Sequence, residues 1–214
     1  MSATTGLADA VLATALAMNQ AGINRGAAGN VSARQGEEDF LITPTGMAYD
    51  ACTPQDIVEV RLDGGATGRR KPSSEWRFHR DIYARYPDAG AVVHAHSPFA
   101  TSLACLGCRV PAFHYMVARF GGDNVRCADY ATFGSQALSD AVVHALDGRK
   151  ACLMAHHGMV VFGADLREAL ALAVELETLC EQYWRVLQIG EPILLPADEM
   201  QRVLAKFADY GRQA

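Results

Sequence analysis

Two short apolar segments, Val31-Ser32-Ala33-Arg34 and Asp39-Phe40-Leu41-Ile42-Thr43, are separated only by a turn around Gly36. A connection that short folds the second segment back beside the first, so this region reads as a β-hairpin and the sheet begins antiparallel. A glycine loop, Arg25-Gly26-Ala27-Ala28-Gly29-Asn30, leads into it. Thr43-Pro44-Thr45-Gly46-Met47 then reads as a turn, and Ile57 to Leu62 as a further strand stopped by Asp63-Gly64-Gly65.

Helical patterns surround these strands. Leu7, Val11, Ala15 and Met18 share one face over residues 5–21, and Gly22 supplies a stop. Ser73 and Ser74 offer hydroxyl N-caps to a helix running from Glu75, with Pro87 beyond its end. Residues 91–97 read as a strand, Pro98 suits the first position of the next helix, and Cys152–Ala155 and Met159–Phe162 read as late strands. Asp165 caps a long helix that should turn Ala169, Ala173, Leu176, Cys180, Tyr183 and Leu187 to the core and stop at Gly190, leaving the stretch after Pro196 as a tail. The pattern predicts an α/β fold of three layers, helices covering a central mixed, largely antiparallel sheet. At 214 residues it fits one domain, 1–214.

A formal charge of −5 with scattered Lys and Arg gives no basic footprint for nucleic acid or an anionic membrane. No apolar run reaches the ~20 residues that span a bilayer, and the Ala-rich N-terminus lacks a basic leader, so a cytoplasmic protein is expected. The six cysteines, irregularly spaced, are expected to be reduced core thiols. Cys105 and Cys108 match C-x-x-C, but no second pair completes a four-thiolate site.

The chemistry-bearing residues are few. In Val92-Val93-His94-Ala95-His96-Ser97 the two imidazoles lie two apart, so on a strand they project from one face at chelating spacing. The pair alone is better explained as two polar residues where a strand meets solvent. Ala155-His156-His157-Gly158 offers a third imidazole, from His156 or His157. Three protein nitrogens would leave zinc an open position for a substrate oxygen, the pattern of a catalytic site. His79, His114 and His144 sit in helical or mixed patterns and read as structural. Glu75 could move a proton beside a metal, or be only an acid favoured at a helix start. Gly29-Asn30, Thr45-Gly46 and Ser73-Ser74 are small polar groups where free backbone N–H groups could hold a phosphate, or simply turns.

Seven stretches together resemble the class II aldolase and adducin family, most of all its fuculose-phosphate aldolase branch. They are GNVSAR (29–34), LITPTGM (41–47), KPSSEWRFH (71–79), VVHAHS (92–97), HYMVARFGG (114–122), YATFG (130–134) and HHGMVVFG (156–163). The resemblance implies a catalytic Zn²⁺ on His94, His96 and His157, with Glu75 as acid/base. It implies a substrate phosphate on Gly29, Asn30, Thr45, Gly46, Ser73 and Ser74. It also implies a tyrosine reaching the site from a neighbouring subunit, at Tyr115, a C-terminal tyrosine at Tyr210, and an aromatic beside the aldehyde at Phe133. A homotetramer with interfacial sites, and retro-aldol cleavage of a ketose 1-phosphate such as L-fuculose 1-phosphate to dihydroxyacetone phosphate and an aldehyde, follow from the same resemblance. Pentulose-phosphate 4-epimerases in the family carry Asp where this chain has Glu75, which favours an aldolase. Methylthioribulose-phosphate and 5-deoxyribulose-phosphate aldolases or dehydratases are further alternatives, while a non-catalytic adducin-like module should have lost ligands that are all present here. Arg119 and Phe120 stand where fuculose-phosphate aldolases have small residues, pointing to another aldehyde portion.

Overall fold

The computed structural model describes residues 3–209. Strands β1 (Asn30–Arg34) and β2 (Asp39–Ile42) form the hairpin, with Ala33 opposite Leu41. Outward from β2, β3 (Val58–Arg61) and the two-residue β4 (Ala66–Thr67) complete one edge, both antiparallel. On the other side of β1 follow β5 (Ala91–Ala95), β8 (Gly158–Gly163), β7 (Ala151–Met154) and β6 (Arg126–Ala128). Among the described residues only the β6–β7 pair is parallel, so the sheet is mixed and largely antiparallel.

Helices cover both faces. Those of one layer are α1 (Ala3–Gln20), α3 (Pro98–Cys105), α5 (Leu166–Ile189) and α6 (Ala197–Asp209). They pack with Val31, Val93 and Ala95 in one apolar cluster. The opposite layer holds α2 (Trp76–Arg85) and α4 (Gln136–Ala145), packed on Phe40, Val92 and Val160. Strand alternation explains the division: Val92 and Val93 are neighbours in sequence and belong to opposite cores. Among the described residues, no helix is long and apolar enough to cross a membrane.

Two joints hold the ends of β1 and β5. The Gly29 backbone lies so close to β5 that a Cβ there would sit 2.3 Å from the His94 carbonyl oxygen, and only glycine fits. After β5, Pro98 opens α3, and the missing N-cap is supplied from α5. Glu177 accepts hydrogen bonds from Ser97 Oγ (2.6 Å) and from the Phe99 and Ala100 N–H groups (both 2.8 Å).

Several sequence expectations change. The stretch after Pro196 is helical: Met200, Val203, Leu204 and Phe207 recur at helical spacing and pack against the first core, an amphipathic pattern that outweighs the preceding proline-bounded loop. Ser135 caps α4 by accepting the Leu138 N–H, and neither α4 nor β6 was expected. Helix α2 starts at Trp76, with Glu75 rather than a serine at the cap position. Strand β5 ends at Ala95, two residues short of the expected end, because Ser97 turns into α3. Leu187 is exposed and Tyr183 only half-buried, since the last turns of α5 extend past the sheet. Of the thiols only Cys152 and Cys180 are buried; Cys105 at the end of α3 is exposed, and Cys52, Cys108 and Cys127 are intermediate.

Candidate metal centre and active site

The strand ends place four donors together. His94 is the fourth residue of β5, fully buried, and its ring meets the edge of Phe78. His96 follows just past the strand end, and His157 stands in the turn between β7 and β8, where its N–H donates to the Met154 carbonyl. That turn is closed by His156, held at the left-handed φ of 55° unusual for a non-glycine residue, and by Gly158. A Cβ on Gly158 would collide with the Ala95 carbonyl and approach the His96 ring, so the glycine lets the turn close over the strand end. The choice left open by the sequence thus resolves geometrically. His157 points into the cluster, whereas His156 is exposed, its ring edge-on to Tyr130.

Glu75 reaches the cluster from the cap of α2. Its Oε2 is 3.0 Å from His94 Nε2, its Oε1 is 3.0 Å from His157 Nε2, and His94 Nε2 is 3.0 Å from His96 Nε2. One donor atom from each of the four residues falls within 4.8 Å of all the others. Tetrahedral ligands at zinc–nitrogen distances would stand ~3.3 Å apart, so the spacing suits a small divalent cation. The hydrogen bonds agree. His94 Nδ1–H donates to the Met159 carbonyl (2.8 Å), which fixes the tautomer and leaves the Nε2 lone pair aimed inward. Buried Glu75 Oε1 accepts no well-directed hydrogen bond despite its closeness to His157, as expected of a ligand atom facing other lone pairs. The donor set therefore fits a metal.

The electrostatics favour an ionised carboxylate, which in turn raises the His94 imidazole despite its burial. Burial alone would raise the Glu75 carboxyl, but the facing His94 and His157 outweigh it and hold it well below the usual carboxylate range. Burial and the neighbouring His94 and His157 push His96 down to about 4.

The remaining candidates divide. Gly29, Asn30 and Ser73 are buried beside the cluster, and Thr45, Gly46 and Ser74 form an exposed rim. The Thr45 and Ser73 segments are tied directly, Ser73 N–H to the Thr43 carbonyl (3.0 Å) and Thr45 N–H to the Lys71 carbonyl (3.1 Å). These bonds correct one expectation. The N–H groups of Thr45 and Ser73 are already used in joining the segments, and that of Gly29 donates to Asn24 Oδ1 (2.9 Å). Among the described residues, no hydrogen bond engages the N–H of Gly46 or Ser74. Phe133 is exposed beside this rim: Gly134 packs on the Ser74 carbonyl, and Arg77 donates to the Gly134 carbonyl (2.8 Å). Tyr115 opens a 3-10 segment, Tyr115–Phe120, and its ring stacks on Phe207 of α6. Among the described residues, no hydrogen bond or ring contact joins Tyr115 to the four-residue cluster. It borders instead a cavity of about 700 Å³ with Phe113, Arg119 and Lys206. Tyr210 lies outside the described residues. Sequence reasoning missed the part played by His79, whose buried ring hydrogen-bonds Asn30; its spacing of four from Glu75 on α2 was the available signal.

Residues 9–184 match the family described as the Class II Aldolase and Adducin N-terminal domain, and the chain belongs to it. By family and fold it is a class II aldolase, a carbon–carbon lyase. It is similar to the 5-methylthioribulose-1-phosphate/5-deoxyribulose-1-phosphate aldolase of Rhodospirillum rubrum, with 58% identity over 90% of this chain and 87% of that protein. The L-fuculose phosphate aldolase of Escherichia coli O6:H1 is 45% identical over 96% of this chain and 95% of that one. A solved L-fuculose 1-phosphate aldolase matches with a TM-score of 0.92 at 34% identity, covering 97% of this chain and 98% of its own.

Proposed function

We propose that this enzyme cleaves a ketose 1-phosphate between C3 and C4, releasing dihydroxyacetone phosphate and an aldehyde. The observation that carries the reading is the convergence of Glu75, His94, His96 and His157 on one point. Three imidazole nitrogens and a carboxylate suit zinc, with the histidines as ligands and Glu75 free to exchange between the ion and a proton. Zinc held by these residues would supply Lewis-acid stabilisation of negative charge on a substrate oxygen.

The chain's own residues do the rest. As the C3–C4 bond breaks, its electron pair stays with the ketose fragment and the C4 hydroxyl loses its proton, for which Tyr115 of a neighbouring copy is the acceptor. The proton taken from the C4 hydroxyl is returned through solvent to the Glu75 carboxylate, which delivers it to C3, completing dihydroxyacetone phosphate and leaving both groups as they began. The free N–H groups of Gly46 and Ser74, with Thr45, Ser73 and Gly29 behind them, are suited to hold the phosphate, and Asn30 retains one N–H for a substrate oxygen. Tyr115 makes no contact with the cluster of its own chain, which supports a homotetramer with sites completed across subunits, Tyr210 and Phe133 serving the aldehyde side. A cytoplasmic location accords with a sugar-phosphate substrate.

For the substrate, the 5-deoxypentulose 1-phosphates, 5-methylthioribulose and 5-deoxyribulose 1-phosphate, come first, because the relative named for them shares 58% identity. L-Fuculose 1-phosphate, placed first by sequence resemblance, becomes the second reading, supported by the relative at 45%. An assay coupled to dihydroxyacetone phosphate over all three substrates tests this. The expected result is highest kcat/KM on the 5-deoxypentulose phosphates. Epimerised ketose with no dihydroxyacetone phosphate would refute the aldol reading.

A further inference from the structure

Behind the metal centre, five buried polar side chains form a continuous line through an otherwise apolar layer. Glu75, His79 and Tyr83 recur at intervals of four along α2, and Asn30 and Ser32 are two apart on the facing strand β1. Interleaved, they make four links. Asn30 Nδ2 donates to Glu75 Oε2 (3.1 Å), and His79 Nε2 is 2.5 Å from Asn30 Oδ1. Ser32 Oγ is 2.7 Å from His79 Nδ1 and 2.8 Å from the Tyr83 hydroxyl. All five residues are at most 5% exposed.

The direction of every proton in this line follows from one end. The Asn30 amide sets its NH₂ against the Glu75 carboxyl and its oxygen against His79. His79 must then carry its proton on Nε2, which leaves Nδ1 to accept from the Ser32 hydroxyl, and Ser32 accepts in turn from Tyr83. Burial and the nearby His94 keep this ring neutral. A neutral imidazole has one donor and one acceptor, and the line uses both; a reversed link would set two lone pairs or two protons face to face in a medium where that is costly.

We propose that His79 is a positioning residue for the acid/base: through Asn30 it fixes which oxygen of Glu75 is held and leaves Oε1 for the metal and the substrate proton. The inference rests on the role assigned to Glu75 above. A merely structural histidine would affect stability and leave the balance of kcat and KM unchanged. Removing a donor that orients the reacting carboxylate should lower kcat with little change in KM.

The test compares the wild-type enzyme with His79→Met, which removes the donor at similar volume, and His79→Gln, whose amide can still donate to Asn30. His79→Met should lower kcat by about 10- to 100-fold, the usual effect of a lost outer-shell partner. KM should stay near wild type, and His79→Gln should recover most of the loss. Independently of any variant or metal, ¹⁵N NMR of imidazole-labelled metal-free protein should find His79 as the Nε2–H tautomer. An Nδ1–H tautomer, or a His79→Met enzyme that folds and retains wild-type kcat, overturns the inference. A wild-type enzyme that cleaves no ketose phosphate refutes the proposed function instead, and the tautomer still decides the role of His79.

Discussion

The Glu75–histidine cluster and the aromatic surface of Phe133 and Tyr115 are built in opposite ways. The cluster is rooted in the core: Glu75 and His94 are buried, His94 locked by the Met159 carbonyl and Glu75 held by Asn30, while His157 is partly buried and His96 stands exposed just past the strand end. Tyr115 and Phe133 are 49% and 67% exposed, large rings with much of their surface uncovered. Polar groups inside a protein must be fully partnered, so a buried site has to be completed by its own chain. Exposed aromatics carry no such requirement, and their surroundings can be completed by substrate or another subunit. The chain thus fixes the four-donor cluster itself and leaves the surroundings of the two aromatic rings open to change.

Losing a donor from the cluster should have the largest effect. His96→Ala should weaken metal binding by more than the roughly 10- to 100-fold typical of an outer-shell partner, and turnover should fall to that of chelated protein. Metal content by mass spectrometry beside the dihydroxyacetone phosphate assay checks both, and normal zinc content in the variant would break the comparison. Glu75→Gln keeps the shape and removes the base, so turnover should drop by about 10²- to 10⁴-fold. Single-turnover rates measure this, and a rate near wild type would remove Glu75 from the chemistry.

Smaller effects should come from the exposed side. Tyr115→Phe should cost about 10²-fold in kcat while leaving metal content unchanged. Mixing it with Glu75→Gln should restore part of the activity, because some interfaces then pair an intact cluster with an intact tyrosine. Mixed oligomers as inactive as their parents would place both residues in one chain's site. The smallest effect is expected for Phe133→Ala: a few-fold rise in KM for substrates with an apolar C5 substituent, about 1 kcal/mol of lost pocket contact at most. Substrate comparison in the same assay reads it out, and an equal change on every substrate would argue against an aldehyde-side position.

Much of this was legible from the residues because it depended on local rules. A two-residue period put His94 and His96 on one face, and the hairpin at Gly36 and the cap at Asp165 followed turn and capping chemistry. What was hidden depended on tertiary neighbours. His156 and His157 could not be told apart, because the left-handed turn that directs His157 inward is imposed by β8 packing on β5. The Thr45 and Ser73 loops looked like free turns, yet both residues spend their N–H groups on binding those loops together. His79 seemed an ordinary core histidine because its partners, Asn30 and Ser32, lie about fifty residues earlier. Met200 to Phe207 did carry a readable helical stripe, obscured by the preceding Pro196.

The reach of Glu177 has a practical consequence. One carboxylate in the middle of α5 secures the start of α3, some eighty residues earlier, immediately after His94 and His96. A random-mutagenesis screen for lost activity should therefore return hits at Glu177, far from anything that touches substrate, and they would mimic active-site lesions. Sorting such hits by metal content before assigning them to catalysis separates a loosened strand end from a damaged reaction.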